Sequence, residues 1–170
     1  MNKTKYITLI GLFLAIGLIL PYISGHAIGI PGTVLLPMYL PIIVAGFILG
    51  PSAGYFLGMI VPTLSHILFN MPPIFILPVM IVDLSLYGLM VGILSNKLKL
   101  NIYISLILSL IISKLGYATV LYICLNILHI ELFTKTTSAL TTIIVGLPGI
   151  IIQIIIIPPL IKILRKLINE

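Results

Sequence analysis

Six long apolar runs fill this chain of 170 residues, and its few charges stand mostly at their ends. The runs read Tyr6 to Ile23, Val34 to Leu49, Ala53 to Phe69, Ile74 to Leu94, Ile102 to Leu128 and Leu140 to Ile163. Most supply the roughly 20 apolar residues that a helix needs to cross a hydrocarbon layer about 30 Å thick. No water reaches that layer, so each run must satisfy its own backbone N–H and C=O groups, which an α-helix does. The expectation is an all-α membrane protein: one domain over residues 1–170, folded as a compact bundle of six transmembrane helices.

The charges suggest an orientation. Lys3 and Lys5 precede the first run, Lys97 and Lys99 separate the fourth from the fifth, and Lys162, Arg165 and Lys166 close the sixth. Six crossings that start in the cytoplasm place all seven cations on the cytoplasmic side, as the positive-inside rule demands. Both termini are then cytoplasmic, while Glu131 and Lys135 face outward. Only 7% of the residues are charged and 61% are hydrophobic, against about 25% charged in a soluble domain. A formal charge of +6 would suit nucleic acid in another context. Here the cations flank apolar runs, where they anchor the topology beside anionic headgroups, so no nucleic-acid partner is expected. The single cysteine, Cys124, excludes a disulfide framework and reads as a small buried hydrophobe. The basic start and the stretch Ile7 to Leu20 have the outline of a signal peptide. No small-x-small cleavage site follows and five more runs do, so a first transmembrane helix is expected.

The second run is short and carries Pro37 and Pro41, which predicts a kink or tilt; the fifth is long and should tilt or project. Pro62, Pro78 and Pro148 are expected to interrupt other helices, with neighbours satisfying the carbonyls they free. On the inner side, Gly50-Pro51-Ser52 is a tight turn and Ser95 to Asn101 a short basic loop. On the outer side, Ser24 to Thr33 is glycine-rich and partly apolar, as a gate over a cavity would be. Asn70-Met71-Pro72-Pro73 is short and stiff, and His129 to Ala139 is polar. There is no visible internal repeat of the secondary-transporter kind.

Asp83 and Lys114 lie near the middles of the fourth and fifth runs. On insertion scales a charge at that depth costs about 2.5 to 3.5 kcal/mol facing lipid, so both should point into the bundle. Two readings stay open: they pair with each other and hold helices together, or they line a polar cavity and meet a ligand. Helical spacing puts Tyr87 on the face of Asp83, and Tyr117 on the face of Lys114 with Leu121 beyond. Tyr122 and Asn126 share an adjacent stripe. Asn126 and Gln153 carry amides that need partners in hydrocarbon, and another helix serves as well as a ligand. His26, His66 and His129 all map outward, but without helical zinc spacing or His-Glu-x-x-His no metal site is expected. His26 and His66 suit a hydrogen bond to a ligand or the anchoring of a loop. Gly11 and Ala15 form a small-x-x-x-small strip on the first helix, with Gly17 close by.

No Gly-x-x-x-x-Gly-Lys-Ser/Thr loop is present, so the chain is not expected to be an ATPase; any ATP-driven step needs another polypeptide. An intramembrane hydrolase would draw on Ser65, Ser85, His66 and Asp83. Ser85 and Asp83 do not face each other, and neither Gly-x-Ser-x-Gly nor His-Glu-x-x-His occurs. A stand-alone proton-coupled secondary transporter using Asp83 and Lys114 is the alternative from another class.

Residues Gly32-Thr33-Val34-Leu35-Leu36-Pro37-Met38-Tyr39-Leu40-Pro41, continuing through Ala45-Gly46-Phe47-Ile48-Leu49-Gly50-Pro51-Ser52-Ala53-Gly54, resemble a known pattern. So does Asn70-Met71-Pro72-Pro73 followed by Asp83-Leu84-Ser85-Leu86-Tyr87-Gly88. They are similar to the substrate-binding (S) components of energy-coupling factor (ECF) transporters, the prokaryotic vitamin importers. The resemblance covers residues 1–95; the last two runs match in length, hydrophobicity and position. It implies a six-helix bundle in the cell membrane of a prokaryote. That bundle would capture a B-type vitamin or precursor near its outer face and require no cofactor of its own. The implied partners are a transmembrane coupling protein and two ATPases. The Gly11 and Ala15 strip would dock on the coupling protein, with glycine where the family usually has alanine. Expected substrate-binding residues are His26, Tyr39, His66, Asn70, Asp83, Tyr87, Lys114, Tyr117 and Asn126. A free lysine favours a carboxylate ligand, pantothenate before niacin. If Asp83 neutralises Lys114 that argument lapses, and pyridoxine-like, hydroxymethylpyrimidine-like, folate-like and corrinoid-related ligands stay open.

Overall fold

Gly50 makes the first sharp feature. Its φ of +101° suits a residue without Cβ, and Pro51 follows at a helix start, where its missing N–H is not needed. The computed structural model describes residues 2–24, 36–126 and 139–169, with side chains described over 2–24, 36–124 and 145–167. Among the described residues there are six α-helices: α1 (Lys3–Tyr22), α2 (Tyr39–Leu49), α3 (Pro51–Phe69), α4 (Leu77–Gly92), α5 (Ile102–Asn126) and α6 (Ala139–Asn169). A wider π-type turn, Ile93–Lys97, extends α4. No strand occurs among the described residues, and the all-α membrane bundle is confirmed.

Large apolar side chains point away from the protein, Ile7, Leu115 and Ile155 among them, each more than 60% exposed. A helix apolar on both its buried and exposed faces belongs in lipid. Among the described residues, five helices are long and apolar enough to span a membrane, α4 together with its π-type extension. The exception, α2, has 11 residues, roughly 16 Å of helix, about half the hydrocarbon thickness. Within the described part of the second apolar run, helix begins at Tyr39. Pro37 sits in the preceding turn and Pro41 in the first helical turn, where no backbone donor is lost, so neither kinks the helix interior. Pro78 likewise starts α4 rather than interrupting it. Pro62 and Pro148 do lie inside helices, as do Pro21, Pro158 and Pro159.

The shortest helix is the most enclosed. Tyr39, Pro41 through Phe47, and Leu49 are all buried, so α2 forms the axis around which the others pack. Helices α3 and α4 run antiparallel so closely that a Cβ on Gly88 would collide with the Gly54 backbone, and one on Gly58 would sit 2.5 Å from Ser85 Cα. Small residues permit this backbone-to-backbone approach. Helix α1 covers α2 and α3, with Gly17 against Val61 and Pro41. Helix α5 packs on α4, and α6 packs on α2 and α5. At the basic end one guanidinium ties three elements: Arg165 Nη2 donates to Ser95 Oγ (2.8 Å), Phe47 O (3.3 Å) and Asn96 Oδ1 (3.3 Å).

Candidate functional site

Two charges in hydrocarbon find each other. Lys114 Nζ on α5 lies 2.5 Å from Asp83 Oδ2 on α4. The same oxygen accepts from the hydroxyl of Tyr39, at the start of α2, also at 2.5 Å. Lys114 Nζ donates in addition to the Tyr39 hydroxyl oxygen at 3.3 Å. The ammonium stands 5.0 Å from the Tyr39 ring centre and 5.5 Å from that of Tyr117, so both ring faces help to solvate it. Tyr87, one turn beyond Asp83, meets the Tyr39 ring edge-on at 6.0 Å. Three helices thus converge on one carboxylate.

The polar accounting is incomplete in an informative way. Asp83 is fully buried, yet its Oδ1 has no hydrogen-bond partner. A carboxylate in a water-free interior normally has both oxygens satisfied, because an unmet acceptor forfeits its hydration without return. The Lys114 side chain keeps 14% of its surface exposed, so the cluster is not sealed. The arrangement holds one ion pair, offers one open acceptor, and surrounds both with three tyrosines.

The predicted residues divide into two groups. Tyr39, Asp83, Tyr87, Lys114 and Tyr117 come together. His66 and Asn70 instead form the end of α3: His66 Nδ1 lies 2.7 Å from Pro72 O, and the backbone N–H of Asn70 donates to His66 O at 2.8 Å. A carbonyl can only accept, so Nδ1 carries the proton there. Asn70 holds the left-handed conformation that terminates the helix. His26, His129, Glu131, Lys135 and the loop from Gly25 to Thr33 lie outside the described residues, as does the Asn126 side chain. The loop's first residue, Ser24, is buried and donates to Pro21 O at 3.1 Å. Among the described residues no group of His, Cys, Asp and Glu could hold a metal ion.

Sequence reasoning passed over the glycines that hold Asp83 in place. Gly54 and Gly58 on α3, and Gly88 and Gly92 on α4, repeat at the same four-residue spacing that was noticed only on α1. That spacing was the available signal.

The fold and its centre define a membrane-embedded helical bundle with a buried ion pair held by three helices. A family model described as "ECF transporter, substrate-specific component" matches residues 5–161. The chain belongs to this family, and is the substrate-specific subunit of an ECF transporter rather than an enzyme in itself. It matches no curated protein and no solved structure.

Proposed function

We propose that this chain captures a B-type vitamin or vitamin precursor at the outer face of a prokaryotic cell membrane. Delivery inward then depends on a separate transmembrane coupling protein and two ATPases. The observation that carries the binding site is the convergence of Tyr39, Asp83 and Lys114 from three helices on a carboxylate whose second oxygen is open. Tyr87 and Tyr117 wall the site. His66 and Asn70, at the end of α3, belong to its outer approach. The cation bias supports a cytoplasmic position for both termini.

The case for pantothenate required a free lysine. Lys114 is paired with Asp83, so its charge is already matched and a carboxylate ligand has lost its counter-ion. The proposal keeps the vitamin class and carries no preference for pantothenate within it.

For the coupling surface, support comes from α1. Thr4, Thr8, Gly11 and Ala15 lie along one exposed stripe, and a Cβ on Gly11 would have nothing within 4 Å. Phe13 and Gly17, on the other face, are buried in the bundle. Gly11→Phe should therefore leave the fold and solute binding unchanged while abolishing uptake. Proteoliposomes holding the chain, the coupling protein and both ATPases test this with labelled B vitamins. ATP-dependent uptake by wild type, lost in Gly11→Phe with binding retained, is the expected result. Uptake driven by a pH gradient alone, without the partner subunits, would establish the proton-coupled alternative instead.

A further inference from the structure

A second buried polar group lies at the depth of Asp83. Gln153, in the middle of α6, is 1% exposed, and neither Nε2 nor Oε1 has a hydrogen-bond partner. A primary amide carries two donors and two acceptor lone pairs, and leaving all of them unmet in an apolar interior is costly. Helix α6 has no stability reason to keep it: Ile157 and Ile161, one and two turns along, fill comparable buried positions with hydrocarbon.

The Arg165 clasp sets the depth. Arg165 on α6 bonds Ser95 at the end of α4, which aligns the two helices at the basic end. From that bond Gln153 and Asp83 each stand about twelve residues along their own helices, roughly 18 Å at 1.5 Å per residue. Both are then in one layer. Moreover, α6 packs against α2 and α5, the helices that present Tyr39 and Lys114 to Asp83. The unmet amide and the unmet Asp83 Oδ1 thus occupy one level of the bundle and are not bonded to each other.

Resting on the reading of the Tyr39–Asp83–Lys114 cluster as the binding site, we propose that Gln153 is a further substrate-reading residue. With Asp83 Oδ1 it selects an uncharged solute edge bearing adjacent hydrogen-bond donor and acceptor groups. The Gln153 amide meets such an edge with two parallel bonds, as glutamine does with the adenine edge. Asp83 Oδ1 accepts one further N–H or O–H. Because Asp83 and Lys114 cancel, the layer has no net charge to offset a ligand carboxylate, and Oδ1 would repel it. Carboxamides, lactams and pyrimidine-type edges fit; free carboxylates do not.

The full chain in lipid nanodiscs tests this with two matched probe pairs, nicotinamide against nicotinate and panthenol against pantothenate. Titration calorimetry should show the uncharged member of at least one pair binding about tenfold or more tighter than its carboxylate, the size of one well-made hydrogen bond. Gln153→Met keeps the length and removes the amide. It should weaken that binding about tenfold or more while the solute-free melting temperature stays level or rises. Gln153→Glu, which replaces the donors with acceptors, should lose binding similarly. A lower solute-free melting temperature for Gln153→Met makes the amide a structural bond and overturns the assignment. Tighter binding of the carboxylates, or no binding by any of the four, overturns the solute class. Asp83→Asn separates the two layers of argument. If binding survives in both Asp83→Asn and Gln153→Met, the cluster is not the site; if it survives only in Gln153→Met, this inference alone fails.

Discussion

The two sides of α4 are built on opposite principles. Toward α3 the contact is backbone on backbone: Gly54 against Gly88, Gly58 against Ser85, and Gly92 against Pro51. Toward α5 and α6 the interior is polar and underfilled with partners. Lys114 reaches across to Asp83, and Ser105, Ser109 and Gln153 are buried without hydrogen bonds. In lipid the first kind of contact supplies helix association, since apolar surface alone gives little preference for helix over acyl chain. The second kind costs stability, so an intramembrane ionisable group directs the search for function to its face. The glycine-packed face is thus the frame that aims Asp83, and on the proposed reading the α5–α6 face carries recognition.

Gly88→Leu gives the largest effect expected of this contrast. A side chain there must pass through the Gly54 backbone, which cannot yield as a flexible side chain does. The outcome is loss of the folded monomer, read as aggregation on size exclusion in mild detergent. A well-folded Gly88→Leu protein would mean that α3 and α4 do not touch as described.

Next in size is the ion pair. Asp83→Ala strands the Lys114 ammonium and should destabilise by about 3–5 kcal/mol; Lys114→Ala should do comparable damage. The double variant Asp83→Ala/Lys114→Ala removes both charges and should recover much of that loss, because replacing a whole buried pair is close to neutral. A thermal-denaturation double-mutant cycle measures this. Solute binding behaves differently if the cluster is the site: it stays impaired in the double variant although stability returns. Full recovery of affinity would reduce the pair to a structural tie.

Much of this was legible in the chain. The six helices follow from apolar run length, and the inward placement of Asp83 and Lys114 from the cost of a lone charge in hydrocarbon, with their pairing one of two open readings. Tyr87 and Tyr117 follow from helical spacing. Other features depend on tertiary register. The Tyr39–Asp83 bond joins residues 44 apart, and Arg165 reaches Phe47, 118 positions away. Nothing local marks such partners. Hydropathy counts apolar residues regardless of whether they are helical, so it does not mark where α2 begins; the turn at Pro37, just before Tyr39, does. His66 illustrates a different limit. Its position suited ligand or loop equally, and only the contact with Pro72 assigns its Nδ1 to the connection between α3 and α4.

The smallest effect sharpens the contrast most, because the same added or lost atoms change sign across α4. Ser109→Ala deletes a hydroxyl that is fully buried and unpartnered on α5. Removing a polar group that makes no bond relieves an uncompensated desolvation, so stability should be unchanged or rise by about 1 kcal/mol. On the other face Gly88→Ala adds one methyl and should cost about 1–3 kcal/mol, since the glycine contact must open. Denaturation midpoints of the two alanine variants, measured in one detergent, decide the matter. If Ser109→Ala falls as far as Gly88→Ala, the serine is bonded in the working protein and the α5 face is packed as firmly as the α3 face. Opposite signs instead leave α5 and α6 as the half of the bundle whose polar groups await a solute.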